Sequence, residues 1–253
     1  MNKNLRSLAL SALLLSAPFS NALADDTLTL RIGTEGAYPP FNYFTADGKL
    51  AGFDIEIGHA LCEKLKANCT FVAQDWDGII PGLRAKKYDA IIASMSITKE
   101  RLRVVDFSEK YYSNVLAFVG PKGKDMSTSK EGLKGLTIGA QRATIAGQTL
   151  EDTYGNVVNV KLYDTQDNAY LDMASGRLDG LLSDKFPAYD WLRSEDGQKF
   201  EFKGQDIDIN DKIGIAVRKG DKLKAKLDKA IKAIVDNGKY AEINKKYFPF
   251  SIY

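Results

Sequence analysis

Segments with the patterns of strands and helices alternate along most of this chain, and that order constrains its fold more than any other feature. Residues 27–32 alternate apolar and polar side chains as a half-buried strand does, and an amphipathic helix pattern begins near Asp54. A second series of the same kind begins near Leu136, with a strand at 137–139 and a helix at 145–154. Strands that alternate with helices in this way predict an α/β fold with largely parallel sheets.

The two series follow each other without a low-complexity linker. We therefore expect two lobes that pack closely and are joined by extended crossings near residues 113–117 and 212–215. In this interpretation residues 25–114 and 214–253 form the first lobe, and residues 115–213 form the second. Ligands of such folds bind at the carboxyl ends of the strands, where loops of both lobes face each other.

The first 24 residues have the pattern of a secretory signal peptide. Lys3 and Arg6 precede an apolar run at residues 8–17, and a small-x-small cleavage sequence follows. An apolar run of this length is too short to span a bilayer, and a buried N-terminal helix is the alternative interpretation. We expect the mature chain to begin near Asp25, to lie in the periplasm and to have no segment inserted in the membrane.

The composition limits the kinds of partner. With 35 basic and 33 acidic residues the net charge is +2, so the chain lacks the basic surplus of a nucleic-acid-binding protein. Cys62 and Cys69 lie in the sequence CEKLKANC, and in an exported protein such a pair forms a disulfide more often than a metal site. The only histidine, His59, falls on the polar face of its helix. We therefore expect a disulfide, and neither a metal site nor a cofactor.

Polar and aromatic side chains follow several predicted strands at the points where those strands end. A zwitterionic amino acid needs a cation and amide donors for its carboxylate, and acceptors for its ammonium group. Arg101 can bind a carboxylate bidentately, the Ser96 amide and a helix expected to begin near Thr98 can add donors, and Asp184 can accept from the ammonium. The candidate residues at these strand ends are Glu35, Tyr38, Trp76, Ser94, Ser96, Thr98, Arg101, Gln141, Arg142, Thr144 and Asp184.

Each of these residues also has an ordinary structural explanation. A Ser or Thr after a strand is most often a helix cap, as Thr144 would be, and Asp184 could cap a helix as well. Arg101 could form a surface ion pair, and Tyr38 and Trp76 could belong to the core. Only the whole set, gathered at strand ends with complementary roles, favours a ligand site.

The mature chain contains the motifs TEGAYPPFNYF, GFDIEIGHALCEKL, WDGIIPGLRAKKYDAIIASMSITKER, DFSEKYY and AVRKGD. On these motifs it resembles the polar amino acid-binding proteins of bacterial ABC importers, above all the branch that binds lysine, arginine, ornithine or histidine. The resemblance implies the type II periplasmic-binding-protein fold, in which two lobes joined by two hinge strands close on the ligand and dock on a membrane permease. It implies α-carboxylate contacts at Ser96, Arg101 and Thr144, ammonium contacts at Ser94 and Asp184, and a side-chain pocket at Glu35, Tyr38 and Trp76.

Several positions depart from the pattern of that branch. Ala93 and Ala143 stand where a serine and a small hydroxyl residue or glycine are usual, so only their backbone groups remain for a ligand. Glu35 replaces a shorter aspartate, and Gln141-Arg142 is bulkier than the usual Gln-Gly. We keep Ala93 and Gln141 in the expected ligand site. Arg142 either meets an additional ligand carboxylate or points into solvent.

Charge counting predicts the class of ligand. If Arg101 balances the ligand carboxylate and Asp184 its ammonium, Glu35 is left as a buried carboxylate that needs a cation. We therefore expect arginine first, then ornithine and lysine, and histidine fourth. We expect the protein to be a monomer, and the resemblance implies that it delivers this amino acid to an inner-membrane ABC permease.

Three alternatives stay open at this stage. The ligand could be an opine, an arginine conjugate whose extra carboxylate meets Arg142. The chain could be an enzyme like the periplasmic dehydratases of the same architecture, although no Ser-His-Asp set, phosphate loop or zinc spacing supports catalysis. It could also be a chemosensory binding protein that presents its closed form to a receptor.

Overall fold

A computed structural model describes residues 28–253, and one continuous sheet organises its backbone. Eight strands form this sheet in the order β5-β1-β6-β11-β7-β10-β8-β9, and β2, β3 and β4 form a small separate sheet. The strands are β1 (Leu28–Thr34), β2 (Ala37–Tyr38), β3 (Asn42–Phe44), β4 (Leu50–Ala51), β5 (Ala67–Ala73), β6 (Ala90–Ile91), β7 (Val105–Pro121), β8 (Thr137–Gln141), β9 (Asn159–Tyr163), β10 (Gly180–Asp184) and β11 (Phe200–Arg218).

The helices connect the strands of each half. Helix α1 begins within one residue of the predicted start at Asp54, and Leu150–Tyr154 continues α3 as a wider π-helical turn. The helices are α1 (Phe53–Leu65), α2 (Trp76–Arg84), α3 (Ile145–Thr149), α4 (Gln166–Ala174), α5 (Lys185–Trp191), α6 (Leu223–Asp236) and α7 (Lys239–Tyr247).

Strands β7 and β11 run through both halves of the molecule. They pair antiparallel from Val105 opposite Arg218 to Pro121 opposite Phe200. The pairing register shifts between Lys203 and Asp211 and again after Ile213, which bends the two strands where the halves meet. Each joins its own half of the sheet by a further antiparallel pairing, β11 with β6 and β7 with β10. Within each half the remaining pairings are parallel, because β1 pairs with β5 and β6, and β8 pairs with β9 and β10.

Each half of the sheet has its own hydrophobic core. One core joins the beginning and the end of the chain, and its buried side chains include Leu30, Phe53, Leu61, Leu227 and Phe248. A second core lies within the middle of the chain and includes Phe118, Leu133, Ile138, Leu150 and Leu182. The boundaries expected near residues 114 and 214 stay a prediction, since both fall inside the unbroken strands β7 and β11.

The two predicted crossings are short parts of much longer strands. Residues 113–117 and 212–215 lie inside β7, which has 17 residues, and β11, which has 19. The strand β6 is short: it ends at Ile91, and Ser94 has a left-handed backbone with φ 51°. That turn leads the chain out of the sheet and toward the cleft between the halves.

The cysteine pair forms the predicted disulfide, which links Cys62 near the end of α1 to Cys69 in the edge strand β5. His59 is exposed on α1, as predicted. Within residues 28–253 no cluster of three or more His, Cys, Asp and Glu side chains could hold a metal ion. Nor does that part of the chain contain a helix long and apolar enough to cross a membrane. The predicted signal peptide lies outside the described residues.

Candidate ligand-binding cleft

The ten residues of the predicted ligand site line a single cleft between the two halves. Residues from both cores meet there because the parallel strands of each half end at this face. Ile145 also lines the cleft and was not predicted. The structure brings together Glu35, Tyr38, Trp76, Ala93, Ser94, Ser96, Arg101, Gln141, Thr144 and Asp184, and their role in binding stays a prediction.

Arg101 lies inside the cleft and not in a surface ion pair. Its guanidinium donates from Nη1 to the Ser96 carbonyl and from Nη2 to the Ala143 carbonyl, each at 2.9 Å. The same group lies 5.3 Å from the centroid of the Trp76 ring, within cation–π distance. Burial lowers the pKa of Arg101 to about 10, so the guanidinium is still a cation at neutral pH.

The helix expected near Thr98 is wrong. Only Arg101–Arg103 forms a single 3-10 turn, and the Thr98 hydroxyl accepts a hydrogen bond from the Arg101 amide at 3.2 Å. Three residues align too few peptide groups to provide a useful dipole. The positive charge at this end of the cleft therefore comes from the Arg101 side chain.

Asp184 provides a carboxylate to the cleft. The Tyr38 hydroxyl donates to Asp184 Oδ2 at 2.6 Å, whereas Asp184 Oδ1 is buried without a hydrogen-bond partner. Although Asp184 precedes α5, its side chain makes no capping bond, so the helix-cap explanation does not apply. Burial, together with the negative charge of Asp211, raises the pKa of Asp184.

Asp211 and Asn114 lie beside the cleft and were not predicted from the sequence. The Asp211 carboxylate accepts from the Ser96 hydroxyl at 3.2 Å and from Asn114 Nδ2 at 3.1 Å. In the sequence DIDIND the first two acids alternate with the isoleucines, whereas Asp211 falls in the register of the isoleucines. That register is the signal in the sequence that could have identified Asp211 as an acid that points inward.

Ser94 is held in place by a buried network around Asp54. The Ser94 hydroxyl donates to Asp54 Oδ2 at 2.9 Å, and the Ser94 amide donates to the Tyr111 hydroxyl at 3.1 Å. Tyr111 in turn donates to Asp54 Oδ1 at 2.7 Å, and Asn42 Nδ2 donates to Asp54 Oδ2 at 2.9 Å. Because the hydroxyl of Ser94 is used inside the protein, its carbonyl is the group left to accept from a ligand.

Glu35 is the second carboxylate of the cleft. Only 7% of its surface is exposed, and Gln141 Nε2 donates to its Oε1 at 2.7 Å. Burial raises the pKa of Glu35 to about 7, the Gln141 hydrogen bond opposes this, and the nearby charge of Asp167 adds to it. Glu35 is therefore a carboxylate on which a neighbouring cation would have a large effect.

Thr144 has the capping role that the sequence left open. Its hydroxyl accepts from the Gly147 amide at 3.0 Å and donates to the Gln141 carbonyl at 2.8 Å. Thr144 therefore begins α3, and its hydroxyl has both bonds within its own turn. Its backbone amide is the group that remains for a carboxylate.

Arg142 lies outside the residues that line this cleft. Its guanidinium forms an ion pair with Asp77 at 3.4 Å and a second ion pair with Asp164. Its side chain is 44% exposed, in agreement with the solvent-facing alternative, and it lies between two carboxylates that the sequence did not predict.

Comparison with known proteins gives a consistent picture. Residues 30–250 match the family described as bacterial extracellular solute-binding proteins, family 3. The chain is 42% identical over 236 residues to the L-arginine-binding protein of Pseudomonas aeruginosa, a match that covers 88% of this chain and 89% of that protein. It is 36% identical over 260 residues to the lysine/arginine/ornithine-binding periplasmic protein of Escherichia coli, across 100% of this chain and 99% of that one.

Solved structures agree with this likeness. An ancestral arginine-binding protein bound to arginine superposes with a TM-score of 0.82 at 37% identity, over 87% of this chain and 98% of the other. The likeness extends over nearly the whole described region, so it includes both halves of the sheet and the cleft between them. It confirms the two-lobe α/β fold of the type II periplasmic binding proteins that the sequence predicted.

Proposed function

Because this chain belongs to the bacterial extracellular solute-binding proteins, family 3, we propose that it captures a cationic amino acid and delivers it to an ABC importer. Arginine is the favoured ligand, followed by ornithine and lysine, with histidine fourth. The observation that carries this proposal is the excess of buried carboxylates over cations among the residues that line the cleft, Glu35 and Asp184 against Arg101. Asp184 Oδ1 has no partner, and Glu35 accepts its one side-chain hydrogen bond from the neutral amide of Gln141.

The charges of the cleft match those of a cationic amino acid. Arg101 is the cation that would face the ligand carboxylate, since its guanidinium is bound only to backbone carbonyls. The ligand ammonium would donate to Asp184 Oδ1, which is buried and unpaired. Glu35 then needs a third charge, and a guanidinium or ammonium group on the ligand side chain provides it.

Ligand capture follows from the position of these groups on two lobes. Glu35, Trp76 and Arg101 follow strands of the half that contains the chain ends, whereas Thr144 and Asp184 follow strands of the other half. A ligand that contacts both sets stabilises the closed form over the open one. Bending at the register shifts of β7 and β11 is the motion that would open the cleft.

We infer the setting from the relatives. The Escherichia coli protein is named as periplasmic, which supports a periplasmic location here and an inner-membrane permease as the partner. We propose that the protein acts as a monomer, because a single chain supplies both sides of the cleft.

We propose no catalytic activity. Both relatives are named as binding proteins. In the described part of the chain, His59 is exposed on α1 and both cysteines are held in the disulfide, so neither residue type is placed for chemistry in the cleft.

The test is calorimetric titration of refolded, ligand-free protein with arginine, ornithine, lysine, histidine, glutamine and octopine. We expect tight binding of the cationic amino acids only, with arginine tightest. Glu35→Gln is the matched variant. It should lower the affinity for arginine and shift the preference toward glutamine, because the cation of the ligand side chain no longer faces a carboxylate. Tight binding of glutamine or of octopine alone by the unaltered protein would contradict the proposed ligand class.

Uptake of labelled arginine by cells that lack the gene distinguishes transport from sensing. We expect uptake to fall in the deletion strain. Normal uptake, in a strain with no second arginine-binding protein, would contradict delivery to an importer and favour a receptor as the partner.

A further inference from the structure

Several hydrogen bonds and ion pairs join the two lobes directly. The Ala143 carbonyl, on one lobe, accepts from Trp76 Nε1 at 3.1 Å and from Arg101 Nη2 at 2.9 Å, both on the other lobe. At the edge of the cleft, Arg142 Nη1 lies 3.4 Å from Asp77 Oδ2 across the same gap. These contacts join protein atoms to protein atoms, so they contribute to closure whichever ligand is bound.

Arg142 is well placed to act on closure. Its amide donates to the Tyr163 carbonyl at 2.8 Å, and its guanidinium pairs with Asp164, both of which belong to its own lobe. These contacts hold the side chain ready on one lobe, and Asp77, at the start of α2, is its partner on the other. The guanidinium thus bridges two carboxylates only when the lobes are together.

The surroundings of Arg142 are strongly acidic. A second cavity of about 520 Å³ opens beside the ligand cleft, and Glu35 and Trp76 line both. Arg142 is the one cation among the residues that line this second cavity, and four carboxylates line it with Arg142: Glu35, Asp75, Asp77 and Asp164. A cation that faces several carboxylates gains more than it would in an isolated surface pair.

From these contacts we propose that Arg142 is an electrostatic clasp between the lobes, which retains the ligand by favouring the closed form without touching the ligand. The inference rests on the proposed lobe closure, but it does not depend on which amino acid is bound. Since the clasp acts on the closed form itself, it also favours closure of the ligand-free protein. Because the side chains of Arg142 and Asp77 are 44% and 50% exposed, salt should weaken it.

The test measures lobe closure in the ligand-free protein by double electron–electron resonance. Spin labels go on cysteines introduced at Lys130 and Lys226, which are exposed and lie on different lobes. In Arg142→Gln we expect the ratio of closed to open molecules to fall about two- to fivefold at low salt, the range of an exposed ion pair. In 1 M NaCl the unaltered protein should approach the variant.

Arg177→Gln is the matched control, because Arg177 is an exposed arginine of the same lobe that pairs with Asp172 and makes no ion pair with the other lobe. It should leave the closed fraction unchanged. Asp77→Asn should lower the closed fraction in the same direction as Arg142→Gln and by no more, because it removes one of the carboxylates that face Arg142. The double variant should lose no more than Arg142→Gln alone, because Asp77 acts through Arg142.

The second measurement is the rate at which arginine and lysine are released, monitored by tryptophan fluorescence in a stopped-flow instrument. In Arg142→Gln both dissociation rates should rise by the same two- to fivefold factor, with little change in association. Unchanged release together with an unchanged closed fraction would overturn the clasp, as would a change in ligand preference, which would put Arg142 in the ligand site. If the closed form is too rare to detect in every ligand-free variant, the release rates decide. Failure to bind any amino acid would instead contradict the proposed function, while the spin labels would still report on the clasp.

Discussion

Two buried aspartates of this protein differ in the number of hydrogen bonds that their carboxylates accept. Asp54 is fully buried and accepts hydrogen bonds from three side chains, Asn42, Ser94 and Tyr111. Asp184 is 7% exposed and accepts from Tyr38 alone, with one oxygen left over. Burial raises the pKa of both, to about 6 for Asp54. The difference shows that depth alone does not distinguish a structural acid from a binding acid, whereas unused acceptor capacity does.

The largest effect that this comparison predicts is the loss of ligand binding in Asp184→Ala. Removing the carboxylate leaves the ligand ammonium buried without a partner, which costs about 2–5 kcal/mol, or a loss of affinity of about 30- to several thousandfold. Only the Tyr38 hydroxyl loses a partner within the protein, so the ligand-free fold should change little in stability. Calorimetric titration with arginine, together with thermal unfolding, measures both quantities. Arginine affinity close to that of the unaltered protein would end the distinction between the two acids.

Asp54→Ala should have the opposite profile. It leaves three buried donors without their acceptor, each at a cost of about 1–3 kcal/mol, so the free energy of unfolding should fall by about 3 kcal/mol or more. The affinities for arginine, lysine and histidine should all fall together, because the variant releases Ser94 from its hydrogen bond to Asp54 and removes no group that contacts the ligand. Denaturant unfolding and a titration series with the three amino acids are the measurements. A selective loss of one ligand would mean that Asp54 shapes the pocket directly.

The smallest predicted effect is a dependence of arginine binding on pH, and it comes from a third buried acid, Glu35. A carboxyl group whose folded pKa is raised stabilises the protein below its unfolded pKa near 4, and this contribution is lost as the pH rises through the folded pKa. For Glu35 that loss falls between about pH 4 and pH 7, so the group favours the ligand-free protein at pH 5 over pH 8. Arginine binding requires the ionised form and should therefore change in the other direction.

We expect arginine affinity to fall about tenfold from pH 8 to pH 6 as Glu35 takes up a proton, and by more if Asp184 does so as well. Titrations at both pH values, with Glu35→Gln as the matched variant, measure the contribution of Glu35. The variant should have a shallower dependence on pH. An equal slope in both proteins would assign the effect to another group.

Most of the fold could be predicted because its elements have local signatures. The strand β1 and the helix α1 carry period-two and amphipathic patterns, and both begin within one residue of their predicted positions. The length of β7 and β11 could not be predicted, because each passes from one core to another and its pattern of buried residues changes on the way. The short β6 ends early for a similar reason, since Ser94 adopts a left-handed backbone that no local pattern of this segment indicates.

For the cleft, the sequence predicted which side chains lie there but not their hydrogen-bond and ion-pair partners. Strand ends are local features, so Glu35, Arg101 and Asp184 could all be placed at one edge. Which donor each acid receives depends on residues far away in the sequence: Gln141 for Glu35 and Tyr38 for Asp184. The ion pairs of Arg142 could not be predicted for the same reason. Its partners Asp77 and Asp164 are far from it in the sequence and become neighbours only when the sheet has formed and the lobes meet.

The long pairing of β7 with β11 also sets an order of assembly. The core that contains Leu30 is completed by α6, α7 and Phe248, whereas the cores of the other lobe draw on residues between 116 and 207. As a nascent chain emerges from its N-terminus, the middle lobe can therefore fold while the first-made segment waits for the last. The half that is synthesised first is thus completed last, and a truncation before α7 would remove Tyr240, Ile243 and Phe248 from the core that contains Leu30.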